Sequence, residues 1–534
     1  MNWFELLTLH SPALIVAVPL LAAFLTPLIS KINDIVRNLF VLIMLSITGL
    51  LVAILGYDVF TNGIRVYVFG GGVPLPSGMT LPVRIMFEVD AMSIFMIIIT
   101  IVLAFISIIY SLSYLKNQDG LDKYYTIVLL LIASVFGMEL TGDLFNFFVF
   151  LEISCITSCA LIAFYIHKKE SILAAFNYIV ISSIGALFIL FAIALLYGQY
   201  NALNMATLAS SIEFTFFDKI ALVLLITGLA MKAGLVPMHM WLPDAYGRAP
   251  ASVTIILIGA TMASFYALLR VSFTIYGNSL AVELNKVGNS SIKLNMILGT
   301  FVLVLAIITI IVGVLMALKQ SNLKKMIAFA AIAEIGYMFL AVGSWLVALN
   351  DPNLAVAGFN ALKGGIFHII NDVLDIGLLF LVAGAIYYAT KETSLNMMGG
   401  LARNMKYTTV FFIIGLLAVS GMPPMNGFAS KLLIYESTYL INPILAIVAV
   451  LCSILLLAVF VKVLHSAFLG PEIPDFKDVK EVPKSMLAAM GVIACVIIIF
   501  GLFPDMIVNN LVQPAAEALA NNSNYITSVL GGGA

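Results

Sequence analysis

Long apolar runs, separated by short polar segments, cover almost the whole chain. A helix needs about 20 mostly apolar residues to cross the hydrocarbon core of a bilayer. Fourteen runs come close to that length, at residues 11–31, 35–56, 91–113, 124–140, 144–166, 173–198, 217–244, 251–277, 294–317, 323–347, 359–389, 408–440, 441–469 and 485–508. The pattern predicts an all-α polytopic membrane protein with about 14 transmembrane helices in a single membrane domain, 1–534. The long loop 57–90 has room for a small hairpin.

The seventh run is interrupted within the stretch MKAGLVPMHMWLPDAYGRAP, residues 231–250. Lys232 lies more than one turn inside the run, and Gly234 and Pro237 follow it. Proline removes a helical hydrogen bond, here the bond to the carbonyl of Ala233. A lysine that snorkels from a merely kinked helix is the alternative interpretation. Because freed backbone groups and a charged amine are both costly in hydrocarbon, we expect a broken helix facing protein or water.

The twelfth run contains a second break, SGMPPMNGFASK, with Lys431 at its end. Pro423 and Pro424 free the carbonyls of Val419 and Ser420 for waters or a cation. This run comes five segments after the seventh, and because the offset is odd the two broken helices run in opposite directions through the bilayer. A coincidental match is the alternative to a repeat. Paired interruptions of this kind are typical of inverted repeats around an ion path. We therefore predict two inverted five-helix repeats, helices 4–8 (124–277) and helices 9–13 (294–469).

The distribution of Lys and Arg predicts the orientation. With the N-terminus outside, the inner loops hold sixteen of these residues and the outer loops hold five. We therefore expect a multi-pass protein of the cell (plasma) membrane with both termini outside. The first residues lack a basic region of the kind that precedes a cleaved signal peptide.

The overall composition agrees with a membrane protein and narrows the chemistry. Hydrophobic residues make up 62% of the chain and charged residues 10%, against about 25% charged in soluble proteins. A net charge of -1 gives no electrostatic reason to expect nucleic acid. Cys155 and Cys159 lie in an apolar segment without a nearby third ligand, and the chain has no cluster, haem or phosphate-loop motif. We predict no catalytic residues, metal site or cofactor in this chain, and no redox site.

Ionisable residues at membrane depth are the candidates for function. A buried charge costs at least about 2.5–3.5 kcal/mol on insertion scales, and burial favours the neutral forms of carboxylates and amines, so protons are gained and lost readily. Structural ion pairs between helices are the alternative. The predicted proton or ion relay consists of Glu152, Lys232, His239, Glu334, His368, Asp372, Asp375 and Lys431.

Four polar or aromatic residues follow the first break. One of them has two alternative roles, and the other three have one predicted role each. His239 is either a relay residue or a satisfied polar residue near the membrane interface. Trp241 is predicted to anchor the chain at that interface. Asp244 and Arg248, four residues apart, are predicted to form a local ion pair.

In the eleventh segment, the spacing of His368, Asp372 and Asp375 places them on one helix face.

Together, VPMHMWLPDAYGRAP, LKKMIAFAAIAEIGYM and SGMPPMNGFASK resemble the antiporter-like subunits of the complex I superfamily. That group includes the D-type component of Mrp cation/proton antiporters, related subunits of membrane-bound hydrogenases and the proton-pumping subunits of complex I. The resemblance implies that the family's helix-five glutamate, helix-seven lysine and helix-twelve charge are Glu152, Lys232 and Lys431. It also implies sister membrane subunits, with or without a redox arm that carries metal cofactors.

The chain departs from the family pattern at several positions. Where helix eight of the family commonly has a lysine, this chain has Met262. Either the relay is interrupted there, or water, Thr261 and Ser264 bridge it. The family's usual residues are also replaced by carboxylates at Glu334, Asp372 and Asp375. These would bind Na⁺, hold additional protons or mark a rewired subunit.

The leading hypothesis is a subunit that translocates H⁺ or Na⁺ within a multi-subunit membrane complex. The alternatives are a proton-pumping subunit of a quinone-reducing, complex I-type enzyme, a transporter of an organic solute, and a structural subunit without transport. The complex would be either an ion-translocating oxidoreductase or an Mrp-type antiporter. In an oxidoreductase, partner subunits would carry out the electron transfer, and an Mrp-type antiporter would have none.

Overall fold

The computed structural model describes residues 3–69, 85–281, 283–287, 290–349 and 351–531. Within these residues, twelve helices are long and apolar enough to cross a membrane. The first half contains α1 (Trp3–Ser30), α2 (Asp34–Asn62), α3 (Ala91–Tyr114), α4 (Leu121–Leu140), α5 (Leu144–Ile162), α6 (Lys169–Tyr200), α7 (Met205–Ser211), α8 (Phe216–Ala233), α9 (Leu242–Arg248) and α10 (Ala251–Leu269). The second half contains α11 (Leu294–Lys319), α12 (Leu323–Ala348), α13 (Ala355–Thr390), α14 (Lys406–Val419), α15 (Asn426–Ile441), α16 (Pro443–Val463), α17 (Lys484–Leu502), α18 (Pro504–Ile507), α19 (Gln513–Ala520) and α20 (Asn522–Gly531).

All fourteen apolar runs contain helix. The structure has twelve candidate spanning helices among the described residues, two fewer than the predicted runs, because two of the runs are broken. The seventh run is divided into α8 and the short α9, and the twelfth into α14 and α15. None of these four pieces is among the helices that span by length and composition in the described part of the chain. The all-α polytopic fold and the two broken helices are therefore confirmed.

Two short strand pairs accompany the helices. Strand β1 (Arg65–Val68) pairs antiparallel with β2 (Met86–Val89), which confirms a hairpin in the loop before α3. The glycine- and proline-rich part of that predicted loop, 70–84, lies outside the described residues. A second pair, β3 (Glu283–Val287) and β4 (Ser290–Lys293), precedes α11 and was not predicted.

Three helices form the centre of the bundle and are covered on all sides by protein. They are α12, α13 and the helix that starts with α10 and continues as a π-helical turn to Ile275. A helix surrounded by protein can carry charges that would be costly against lipid. The second-half charges Glu334, His368, Asp372 and Asp375 all lie on α12 and α13. The fold therefore places these candidates away from lipid.

Both ends of the described chain lie at the same end of the bundle. His10 Nδ1 of α1 is 3.2 Å from the hydroxyl of Tyr67 on β1. At the other terminus, the Tyr525 hydroxyl of α20 donates to Glu88 on β2. This agrees with an even number of crossings. Which end faces outward remains a prediction from charge.

Candidate functional site

The two helix breaks have the same backbone geometry. Gly234 (φ +81°) follows α8 and Gly421 (φ +66°) follows α14, both in the left-handed conformation that favours glycine. The amide of Leu235 donates to the carbonyl of Ala230, and that of Met422 donates to Leu417. Each is the long bond of a Schellman motif. The helices therefore end at these glycines, before Pro237, Pro423 and Pro424 are reached.

Side chains satisfy the carbonyls at the second break. The Lys431 ammonium donates to the Val419 carbonyl at 2.7 Å, and the Ser453 hydroxyl donates to the Ser420 carbonyl at 3.0 Å. These are the two carbonyls that the prolines were predicted to free. The protein's own groups therefore take the places that were predicted for waters or a cation, an ammonium at Val419 and a hydroxyl at Ser420.

Trp241 lies at the first break and is buried, so its prediction as an interfacial anchor is wrong. Its indole N–H donates to the carbonyl of Met231 at 3.0 Å. The ring packs edge to face on Tyr178, with centroids 5.1 Å apart. The turn after α8 folds the chain back over the helix end. That return path carries Trp241 into the bundle, where it supplies a donor to the last turn of α8.

Asp244 is paired across helices, and the local pair predicted with Arg248 is wrong. Its carboxylate lies 2.7 Å from the ammonium of Lys325, in the first turns of α12. The start of α12 packs beside α9, so a partner distant in sequence is nearer than the one on the same short helix. The pair fixes the second piece of the broken helix to the second half of the protein.

The first-half charge pair is loose. Lys232 Nζ lies 4.0 Å from Glu152 Oε1, a distance too long for a hydrogen bond. Lys232 is buried, but 30% of the Glu152 side chain is exposed, although it lies mid-helix on α5. Glu152 Oε1 has no hydrogen-bond partner in the described structure. The pair is therefore close enough for electrostatic coupling and free to separate.

A small polar cavity adjoins Lys232. Its volume is about 20 Å³, which is enough for one water molecule. Besides Lys232, its polar lining consists of Ser154, Cys155, Ser158, Tyr178, Ser182, Trp241, Thr261 and Ser264. The hydroxyls from α5, α6 and α10 supply both donors and acceptors. They provide partners for a water beside the amine.

The second-half pair is tight and fully buried. Glu334 on α12 accepts a 2.8 Å hydrogen bond from Lys431 on α15. Its other oxygen lies 2.9 Å from His368 Nε2, although the ring N–H is not aligned on it. Lys431 also lies 4.5 Å from the ring centroid of Tyr337, and His368 Nδ1 is 3.0 Å from the Ser430 hydroxyl. Predicted relay residues from three helices are therefore brought into direct contact.

Asp372 and Asp375 extend this cluster along α13. Both are buried, and the two oxygens of Asp372 and one of Asp375 have no hydrogen-bond partner in the described structure. A buried carboxyl without donors is costly as an anion and much less so with a proton. The described residues contain no group of three or more His, Cys, Asp or Glu arranged to hold a metal ion. This geometry is suited to holding protons.

His239 lies in the turn between α8 and α9. It is buried, and its Nδ1 has no hydrogen-bond partner within the part of the chain that the structure describes. Its backbone carbonyl accepts from the amide of Leu242, at the start of α9. No contact in the described structure gives its ring a part in the relay, so that role remains a prediction.

Sequence reasoning missed a second buried network, at the end of the bundle that holds both termini. Arg270 forms an ion pair with Asp90, and Glu139 accepts a 2.7 Å bond from Thr100. On the neighbouring hairpin, burial raises the pKa of Glu88 from 4.5 to about 7. The charged residues of this network lie near helix ends or on the hairpin, where sequence alone does not show that they are buried. The sequence feature that pointed to this network was Arg270, a charged residue that directly follows Ala267, Leu268 and Leu269 in an otherwise apolar helix.

Two protein-family models match the chain. The larger match, residues 141–456, is to the transmembrane family described as NADH:quinone oxidoreductase/Mrp antiporter. Residues 76–125 match the family described as NADH-ubiquinone oxidoreductase (complex I), chain 5 N-terminus. The larger match contains both helix breaks and every predicted relay residue.

Individual relatives cover nearly the full length. NADH-quinone oxidoreductase subunit N of Desulforudis audaxviator is 30% identical, over 95% of this chain and 99% of its own. The D-type component of the Na⁺/H⁺ antiporter of Bacillus subtilis is 29% identical, over 96% and 98%. Among solved structures, a chain of the Mrp complex from Dietzia sp. DQ12-45-1b superimposes with a TM-score of 0.82 at 25% identity, covering 99% of this chain and 100% of that one.

Proposed function

The chain belongs to the NADH:quinone oxidoreductase/Mrp antiporter family, and from that premise we propose that it translocates protons through a relay of buried charges, as one subunit of a multi-subunit membrane complex. The observation that carries the proposal is the pair of Lys/Glu contacts, Lys232 with Glu152 and Lys431 with Glu334, each beside a helix break.

The difference between the two pairs suggests how a proton moves. A buried ammonium is stabilised by a nearby carboxylate and is costly without one. When Glu152 separates from Lys232, the amine gives up its proton through the adjoining cavity. In the second half, Glu334 already holds Lys431, and Asp372 is able to take a proton once it has passed its own proton onward. Opening the first pair therefore drives a proton toward the second half.

The cavity beside Lys232 supports H⁺ as the ion moved along this relay. Its space of about 20 Å³ fits one water, next to the amine and several hydroxyls. A proton crosses such a site by exchange between hydrogen-bonded groups.

The exposure of Glu152 supports a neighbouring membrane subunit. The same face of α5 exposes Phe145, Val149 and Ile156, as expected for contact with lipid or protein. A carboxylate at mid-helix is costly against lipid. We propose that a sister subunit covers this face, in a plasma-membrane complex with both termini of this chain outside.

The test measures proton movement in membrane vesicles that contain the assembled complex. Lys232→Ala and Glu152→Gln are expected to abolish translocation while leaving the amount of assembled complex unchanged. Lys391→Ala and Glu170→Gln are matched controls, because both residues are exposed and lie at helix ends. Proton movement at the control rate in both relay variants would rule out the relay.

A second candidate is a proton pump in a quinone-reducing complex, favoured by the 30% identity with a subunit N. The composition of the purified complex distinguishes the two settings. A co-purifying arm with iron–sulfur or nickel–iron centres indicates a redox-driven pump, and small membrane partners alone indicate an antiporter.

A further inference from the structure

The proposed relay contains a gap between Lys232 and Asp372. Met262 of α10 is at the position where the family commonly has a lysine, and it is buried and has no titratable group. A proton route through this region needs hydrogen-bonding groups from elsewhere. The following inference rests on the proposed function and concerns how that gap is crossed.

The Lys232 cavity extends to α10 on either side of Met262. Thr261 and Ser264 both line it, together with Lys232. A water in this cavity is therefore adjacent to the amine and to the Thr261 hydroxyl. This brings one end of a proton route to α10.

A tyrosine of α9 continues the route. The Tyr246 hydroxyl lies 2.7 Å from Thr261 Oγ1, and either oxygen is able to donate. Tyr246 is 1% exposed, and its ring packs edge to face on Phe380 of α13, with centroids 5.8 Å apart. The phenol is thus held between the cavity-lining helix and the helix that carries Asp372.

Packing between α10 and α13 brings Asp372 to the same height. Gly384 packs directly on Ala251, and a Cβ at Gly377 would lie 3.3 Å from Ile255, so the helices run antiparallel. Counted from the Ile255–Gly377 contact, Thr261 lies six residues after Ile255 in α10, and Asp372 lies five residues before Gly377 in α13. At 1.5 Å per residue these are about 9 and 8 Å in the same direction. Both Asp372 oxygens are without a hydrogen-bond partner in the described structure, so a turn of the Asp372 side chain or one water completes the last step to the Tyr246 hydroxyl.

We propose that Thr261 and Tyr246 form a hydroxyl bridge that carries protons between the Lys232 cavity and Asp372. A proton from the cavity water binds the Thr261 oxygen as the hydroxyl proton of Thr261 passes to Tyr246. After Asp372 has passed its own proton onward, the phenolic proton of Tyr246 passes to an oxygen of the resulting carboxylate. One proton is transferred, each hydroxyl keeps one, and rotation of the hydroxyls restores the starting state.

Tyr246→Phe in the assembled complex tests the bridge, because it removes one oxygen and keeps the ring against Phe380. We expect proton translocation to fall about a hundredfold, the lower end of what a positioned proton-transfer group contributes. Tyr124→Phe is the matched control. Tyr124 is equally buried and also donates to a hydroxyl of α10, Ser252, at 2.9 Å.

Thr261 provides a second test that does not depend on the tyrosine. Thr261→Val keeps the side-chain shape and is expected to slow translocation as Tyr246→Phe does, while Thr261→Ser, which keeps the hydroxyl, should be much faster than Thr261→Val. If Tyr246→Phe fails to assemble, the two Thr261 variants decide the matter. Met262→Lys in the Tyr246→Phe background supplies a titratable amine and should restore transport.

The possible outcomes separate the bridge from the proposed function. Translocation at the Tyr124→Phe rate in both Tyr246→Phe and Thr261→Val, with none in Lys232→Ala, would overturn the bridge and leave the proposed function intact. Unchanged translocation in all three, Lys232→Ala included, would overturn both. Loss in all three, with the Tyr124 control active, supports the bridge.

Discussion

Glu334 and Glu152 have the same charge and the same type of partner, but their surroundings give them different roles. Glu334 is enclosed and bonded to Lys431, with His368 on its other side. Glu152 is partly exposed and stands 4.0 Å from its lysine. Breaking a buried pair leaves an uncompensated charge, whereas a loose pair at the edge of the bundle loses less. Glu334 therefore contributes to structure as well as to transport.

Glu334→Gln should destabilise the protein by about 3–5 kcal/mol, because the Lys431 ammonium would remain buried without a counter-charge. The measurement is the free energy of unfolding of the purified protein in detergent micelles. Glu152→Gln is the comparison and should have a clearly smaller effect.

Replacing both partners checks the origin of the loss. In Glu334→Gln/Lys431→Met neither member of the pair is charged, so much of the stability should return. A double variant as unstable as Glu334→Gln would show that the pair's electrostatics are not the cause.

At the scale of elements, the two breaks share a glycine turn but differ in where the lysine lies. Lys232 comes two residues before Gly234, whereas Lys431 comes ten residues after Gly421. The side chain of Lys431 reaches back to the carbonyl of Val419, which is two residues before Gly421. The Lys431 ammonium therefore bonds the last turn of α14 from a distance, whereas Lys232 is itself part of the last turn of α8, so the two lysines are not at corresponding positions.

Gly421→Ala should destabilise the protein by about 1–3 kcal/mol, since other residues adopt positive φ only at a cost. A Cβ at this position would also lie 3.0 Å from Cδ of Lys431. We therefore expect slower proton translocation in membrane vesicles as well as a lower free energy of unfolding.

Gly198→Ala is the matched control for this substitution. Gly198 lies in α6 with open space around its Cα, so alanine there should be neutral or stabilising by up to about 1 kcal/mol. Equal stability of the Gly421 and Gly198 variants would mean that the left-handed turn does not define the break.

At the scale of the whole molecule, the C-terminal helix is fastened to the first hairpin. Tyr525 and Asn204 donate to the two oxygens of Glu88, so α20 and the turn before α7 are bonded to one carboxyl on β2. Burial raises the pKa of this carboxyl from 4.5 to about 7, and the bonds from Tyr525 and Asn204 offset part of that rise.

The stability of this attachment should depend on pH. Because the pKa of Glu88 is higher when it is buried, its contribution is fully present below about pH 4.5 and is lost as the pH rises through about 7. Hydrogen exchange of α20 is therefore expected to become faster between pH 5 and pH 8, after correction for the intrinsic exchange rate. Glu88→Gln should remove this dependence, and the same corrected rate at both pH values in the native protein would contradict it.

The sequence by itself determined the elements that depend on local composition. Runs of apolar residues must be helical in a bilayer, so fourteen helical segments and their two interruptions were predictable. The predicted breaks are Gly234 and Pro237 in the first case and Pro423 and Pro424 in the second, where the structure ends the helix at Gly421, ahead of the prolines. The charges at membrane depth identified Lys232, Glu152, Glu334 and Lys431 before any contact was known.

Only the tertiary structure decided which of these groups meet. Lys431 and Glu334 are far apart in the chain and belong to different helices, so their 2.8 Å bond depends on how α12 and α15 pack. Trp241 looked interfacial and Asp244 looked locally paired, because sequence cannot show that the chain folds back after Gly234. The Tyr246–Thr261 contact arises in the same way. Helix formation follows from the solvent and local residues, whereas proton routes depend on distances of a few ångströms between helices, which packing alone sets.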